Sequence, residues 1–180
     1  MALQRVVING YGQLELNAVA FRRSGRIEAQ CALDATDFAN VPAENGMLLA
    51  VDNINRVVKF VKEGNIYPVA LNYTTEHMYD ERHNALRDFK LELSSFYPRM
   101  GYLGAGDKYT TNCLAYDTEE FADEDALKTA LENIKTVPLY AKACAEGAHQ
   151  ITKSATGAVA LVIAQTTMPD GQFAVKFQAL

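Results

Sequence analysis

The sequence predicts a mainly β fold, an antiparallel sandwich or barrel-like meander, with one α-helix near residues 121–135. Three observations predict it. Apolar and polar residues alternate with period two through much of the chain, as in QLELNAVAF (13–21) and QFAVKFQAL (172–180). Between residues 47 and 73 the gaps separating such runs are short and carry turn chemistry, far below the dozen or so residues that a parallel crossover requires. One segment, FADEDALKTALENIK (121–135), has the 3.6-residue period of an amphipathic helix. If the polar segment 74–88 is helical too, the class becomes α+β. With 180 residues, 49% of them hydrophobic, the chain reads as a single β-rich domain over 1–180, with 1–12 able to stand off as an N-terminal arm.

The elements follow in order. Val6-Val7-Ile8 gives a first short strand, and Gly10-Tyr11-Gly12 comes directly after it. This is how a dinucleotide-binding unit begins, and Asp34 stands at a distance that suits a ribose hydroxyl. The third glycine of that fingerprint is replaced by Glu15, whose carboxylate would crowd the helix–strand contact and oppose a pyrophosphate. Residues 14–20 also alternate: Leu14, Leu16, Ala18 and Ala20 face one way, Gln13, Glu15 and Asn17 the other. The glycines therefore read as a turn, and 13–21 and 27–33 as a β-hairpin around Ser24-Gly25. Arg22, Arg23 and Arg26 decorate its turn.

PAENG (42–46) is a loop closed by a strong turn dipeptide. MLLAVD, RVVKFV and YPVALNY then read as strands of a meander, and FKLELSSF as another, with Phe89, Leu91 and Leu93 on one face. Gly101, Gly104 and Gly106 mark a bend before the strand KYTTNCLAYD. In the helix Asp123 is the N-cap, and Ala126, Leu127, Ala130, Leu131 and Ile134 form the buried stripe, with Lys135 at its end. Two short runs around Glu146-Gly147 follow. GAVALVIAQTT and QFAVKFQAL close the chain around the tight turn MPDG.

Composition narrows the function. There are 17 Lys+Arg against 22 Asp+Glu, a net charge of -5, which argues against nucleic acid as the main partner. Cys31, Cys113 and Cys144 are scattered in apolar runs and read as buried free thiols of a reducing compartment. No apolar run approaches the ~20 residues that span a bilayer, so no membrane partner is expected. The densest polar group is Glu76, His77, Asp80, Glu81 and His83. Its spacing matches no compact metal motif, and a helix would point His77 and His83 to different sides, so a solvated loop is the reading adopted. GAGDKYTT (104–111) has Asp107 where a phosphate loop needs glycine. His149 reads as a surface or interface residue. No nucleophile–base arrangement stands out, so no catalytic residue, cofactor or metal is expected and the chain is read as a non-enzyme.

The segments PAENGMLLAVD, YTTEHMYDERHNALRDFKLE, YPRMGYLGAGDKYTTNCLAYD and TTMPDGQFAVKFQAL together resemble small tailed-phage virion proteins of the capsid decoration or cement type. The resemblance covers most of the chain in layout, and its motifs are structural. It implies a virion protein, assembled in the host cytoplasm, that binds the head shell in many copies. Its partners would be the major capsid protein or other virion proteins, and further copies of itself in a homo-oligomer. The docking elements expected are the N-terminal strand, the 74–88 segment and the C-terminal strand. The alternatives are a phage neck or tail component, a non-viral assembly module, and a nucleotide- or metal-dependent enzyme.

Overall fold

A computed structural model describes residues 2–74, 85–93 and 96–180. The first strands are β1 (Leu3–Arg5), β2 (Leu14–Ala18), β3 (Ile27–Glu28), β4 (Ala32–Leu33), β5 (Leu48–Asp52), β6 (Val57–Lys59) and β7 (Val69–Asn72). They are followed by β8 (Met100–Gly101), β9 (Lys108–Thr111), β10 (Leu114–Asp117), β11 (Tyr140–Ala143), β12 (His149–Thr152), β13 (Ala160–Thr167) and β14 (Phe173–Ala179). The helical pieces are two single turns, α1 (Phe21–Ser24) and α2 (Ala85–Asp88), and one helix of nine residues, α3 (Glu124–Glu132).

The fold is mainly β, as the alternation predicts. One sheet has the order β1-β10-β12-β11-β13-β14-β9-β2 and the other β3-β8-β7-β5-β6-β4. Only Asn112 and Cys113 separate β9 from β10 in the chain. The outer parts of the first order are thereby tied covalently, and the sheet curls into a barrel. Tyr109 of β9 and His149 of β12 meet across its interior, with ring centroids 5.5 Å apart. Residues 3–18 run antiparallel along the bent 108–117 stretch, from the Leu3↔Asp117 pair to the Ala18↔Lys108 pair. The expected free arm at 1–12 is therefore built into the barrel wall through β1.

Neither sheet is purely antiparallel: β10 pairs with β12 and β4 with β6 in parallel. The short gaps of the 47–73 region do not bear on these pairs, since α3 and β11 lie between β10 and β12 and a long loop plus β5 between β4 and β6. Both crossovers exceed the length that parallel pairing needs. The meander is also reordered, because β7 pairs on the side of β5 away from β6. That places β5 in the middle, buried on both faces: Leu48 joins one apolar cluster and Leu49 and Val51 the other. A strand buried on both faces carries no alternation to read.

The hairpin expected over 13–33 does not form. β2 pairs with β9, whereas β3 pairs with β8 and β4 with β6 in the second sheet. Ser24 and Gly25 instead end the turn α1, where Gly25 takes a left-handed conformation at φ 71°. Phe21 explains the break. Its side chain is fully buried, its ring lies 4.9 Å from that of Tyr73, and it packs so closely on Gly101 that a Cβ there would collide. Residues 89–96 also depart from expectation. Leu91 forms an isolated bridge with Ala43 and is buried, while Leu93 is exposed.

α3 lies where its period places it, although shorter than 121–135. Asp123 accepts a 2.8 Å bond from the Ala126 amide, and Leu127 and Leu131 are buried. Ala126, Ala130 and Ile134 pack around them. Asn133 closes the helix, its amide bonded to the Ala130 carbonyl, and a turn follows in which the Thr136 and Val137 amides both bond the Asn133 carbonyl. Asp123→Ala should cost about 1 kcal/mol, the usual value of an N-cap, read as a lower urea midpoint at unchanged slope.

The C-terminal readings agree with the structure. β11 and β12 form a hairpin with Ala143 opposite His149, and β13 and β14 a second around Pro169–Gly171. β14 is paired on both sides, with β13 and β9. It is an interior strand, so its edges are satisfied within the chain and are not open to another subunit.

Candidate functional site

The glycine turn after β1 is followed by β2, an antiparallel edge strand, where a dinucleotide site places a helix. Gly10 has φ 87°, and a Cβ there would collide with the Arg87 carbonyl. At Gly12 a Cβ would lie 2.6 Å from the Asn45 carbonyl oxygen. Two crossing segments thus require the glycines. The Glu44 carboxylate takes the position at the turn that an anion would need: its Oε2 accepts from the Gly12 amide at 2.7 Å. The same carboxylate receives both Arg5 amino groups, at 2.8 and 2.9 Å. Burial works against the Arg5 charge, but the bond to Glu44 together with the surrounding negative groups outweighs it and raises the guanidinium above its ordinary range. This node ties β1, the loop before β5 and the β9–β10 kink, where Arg5 also reaches Cys113 Sγ at 3.5 Å.

The other side of the turn is tied as firmly. Asn9 donates its amide to Gln172 Oε1 at 2.6 Å, and Gln13 Nε2 donates to Asp170 Oδ2 at 2.7 Å. Both contacts hold the loop against the β13–β14 turn. Asp107 of the phosphate-loop-like stretch accepts from the Ala20 and Gly104 amides at 2.8 and 2.9 Å, with Arg26 at 3.8 Å. Its charge is used to close the bend.

His149 is buried, contrary to the expected surface position. Its Nε2 lies 2.9 Å from the Tyr109 hydroxyl, and its ring stacks 4.8 Å from Phe177. Burial lowers its pKa from 6.5 to about 3, so the ring is neutral. The signal missed was the strand's own alternation, which puts His149 and Ile151 on the same inward face. All three cysteines are free and buried, as expected. Burial pushes the Cys113 thiol up to about 12, away from thiolate chemistry. Glu76, His77, Asp80, Glu81 and His83 lie outside the described residues, as does most of 74–88.

Asp52, fully buried, organises the β5–β6 turn. It accepts from the Ile54 and Asn55 amides at 3.1 and 3.0 Å, from Asn55 Nδ2 at 2.8 Å and from Lys59 Nζ at 3.0 Å. Burial opposes its charge, yet these bonds win and hold the carboxyl well below the usual range. A depressed acid stabilises the fold above its unfolded pKa of about 4 and ceases to as pH falls through the folded value. Asp52→Asn should therefore lower the melting point at pH 7 and narrow its gap to the native chain below pH 4 in calorimetry.

Several large apolar side chains also face outward. Val41, Leu93, Phe96 and Tyr97 are between 41% and 53% exposed. Val41 and Leu93 line a groove of about 350 Å³ together with Pro42 and Phe38, and Phe96 leans on Phe89 at 6.4 Å. Among the described residues β1 and β2 are the edge strands of the first sheet, and β3 and β4 those of the second. β1 was among the expected docking elements; β2 and the 38–42 loop were not. Among the described residues no helix is long and apolar enough to cross a membrane. No family model, curated protein or solved structure matches this chain.

Proposed function

We propose that the chain is a structural virion protein of the capsid decoration type, which binds the phage head shell in many copies and stabilises it. The observation that carries this reading is the apolar groove at Val41, Pro42 and Leu93, with Phe96 and Tyr97 also half-exposed a few residues on. Contiguous exposed apolar side chains mark protein-binding surfaces, and bulky aromatics supply most of the energy of such contacts. The resemblance of four sequence segments to decoration proteins supports it, and so does the inward use of Glu44, Asp52, Asp107 and His149 as structural groups. The shell protein would cover the patch, and the buried ionic and aromatic groups would keep the fold rigid beneath it.

Leu93→Asp and Phe96→Asp test the reading. Both positions are largely outside the core, so the variants should keep the native melting point within about 1 kcal/mol of stability. Incubated with heads that lack the native protein, they should fail to co-sediment while the native chain does. Equal co-sedimentation of variants and native chain would remove the patch from the interface, and a native chain that never co-sediments would contradict the function.

A further inference from the structure

We infer that Asn9 is a self-modification site. Its side-chain amide is lost through attack by the Gly10 main-chain nitrogen, so the turn after β1 ages from asparagine to aspartate and isoaspartate. The other Asn-Gly pair of the chain, Asn45-Gly46, is spared.

The two pairs share a chemistry and differ in surroundings. Glycine has no side chain to shield its amide nitrogen, so an asparagine directly before it is the most open to this attack. Asn9 and Gly10 are both exposed. Among the described residues neither the Asn9 side chain nor the Gly10 amide makes a hydrogen bond. Asn45, by contrast, is fully buried. The Gly46 amide is committed to the Asn72 carbonyl at 2.9 Å, and Asn72 Nδ2 holds the Glu44 carbonyl on the other side of the pair at 2.9 Å. Thr111 packs directly on Gly46. The nucleophile at 46 is therefore occupied, and a ring has no room to close there.

The reaction needs only water. The Gly10 nitrogen gives its proton to hydroxide and bonds Asn9 Cγ. The Cγ–Nδ2 bond breaks, and the side-chain nitrogen takes a proton from water and leaves as ammonia. Water then opens the succinimide. Cleavage of the new N–Cγ bond leaves aspartate, and cleavage of the original peptide bond leaves isoaspartate. Gln172 both restrains the step and senses its product. Its Oε1 accepts from the Asn9 amide at 2.6 Å, and its Nε2 donates to the Asn9 carbonyl at 3.0 Å. Ring closure turns that carbonyl about the Cα–C bond, so the second contact must break first and the clamp slows the reaction. In isoaspartate the same carbonyl has become a free carboxylate, and the main chain is longer by one carbon. The tie between the β1–β2 turn and the β13–β14 turn is then lost. The lengthened chain also meets Arg87, whose carbonyl lies against Gly10 and accepts the Tyr11 amide at 2.7 Å.

Peptide mapping of the full chain, incubated at mildly alkaline pH, follows both pairs in one molecule, with fragment ions placing each converted residue. In the native fold Asn9 should convert more than roughly tenfold faster than Asn45, which reacts only in molecules that have opened around it. In concentrated urea the two rates should converge. Gln172→Ala should speed conversion at Asn9 roughly two- to tenfold, the worth of one hydrogen bond. A slow Asn45 in the same sample reports that the variant is folded. Equal rates in the native fold, an Asn9 that outlasts Asn45, or a Gln172→Ala protein no faster than the native one overturns the inference. A difference that persists in urea overturns it too, since local sequence and not the fold would then select the site.

Discussion

Glu44→Ala lowers the stability by about 3 kcal/mol, the lower end of the range for removing one member of a buried ion pair, because Arg5 keeps some contact with water. For a chain of this length that is a fall of roughly 6–12 °C in melting temperature. Three losses combine in the variant. Arg5 loses the carboxylate that holds both of its amino groups, the Gly12 amide loses its acceptor, and β1 loses its tie to the loop before β5. The double variant Arg5→Met/Glu44→Leu removes both charges and should recover a large part of the loss, since an apolar pair has no desolvation cost to offset. Differential scanning calorimetry on the three proteins checks this. A Glu44→Ala protein that melts within 2 °C of the native one would mean that the node contributes little.

Acid should destabilise the protein from pH 6.5 downward through His149. In the unfolded chain the imidazole takes up a proton near pH 6.5, while in the fold it stays neutral until about pH 3. Across that window the unfolded state holds more protons, so stability rises with pH. The contribution is complete above 6.5 and declines as pH falls towards 3, at a limiting slope of about 1.4 kcal/mol per pH unit. The aromatic neighbours Tyr109 and Phe177 offer the imidazolium no counter-charge. His149→Gln retains an amide for the Tyr109 hydroxyl and removes the titration. Its melting temperature should be lower than native at pH 7 and flatter between pH 6 and 4. An equally steep decline in the variant would place the acid-sensitive group elsewhere.

The parts of this fold that are legible in the sequence are those whose partners are close in the chain. β13 and β14 are read correctly because the turn at Pro169–Gly171 sets their register, and the β11–β12 hairpin for the same reason at Gly147. α3 is read from its stripe and its Asp123 cap, although it ends at Glu132, short of the expected Lys135. The hairpin expected over 13–33 fails for the opposite reason. Local alternation shows that residues 14–18 and 27–33 are extended; it is silent about which strands they join. Tertiary burial of Phe21 turns the chain between the two sheets.

KYTTNCLAYD likewise reads as one strand, and its kink at Asn112-Cys113 is fixed by distant groups: the Gln13 amide bonds Asn112 Oδ1 at 2.6 Å, and the His149 amide bonds the Cys113 carbonyl at 2.9 Å. The proposed docking surface is legible in the sequence only in part. An N-terminal strand is expected from the sequence at Val6–Ile8, but it lies at Leu3–Arg5. The openness of β2 depends on the order of all eight strands, and the patch at Val41 and Leu93 depends on the bridge that brings Ala43 to Leu91.

The central claim is that this chain is a component of the phage head. Quantitative mass spectrometry of density-purified virions, with the major capsid protein as internal standard, tests it most directly. The account predicts peptides of this chain in a fixed, high ratio to the shell protein, lost from the particle when Leu93 and Phe96 are both changed to Asp. Virions that contain none of the chain, or only a trace unrelated to the shell protein, would contradict it.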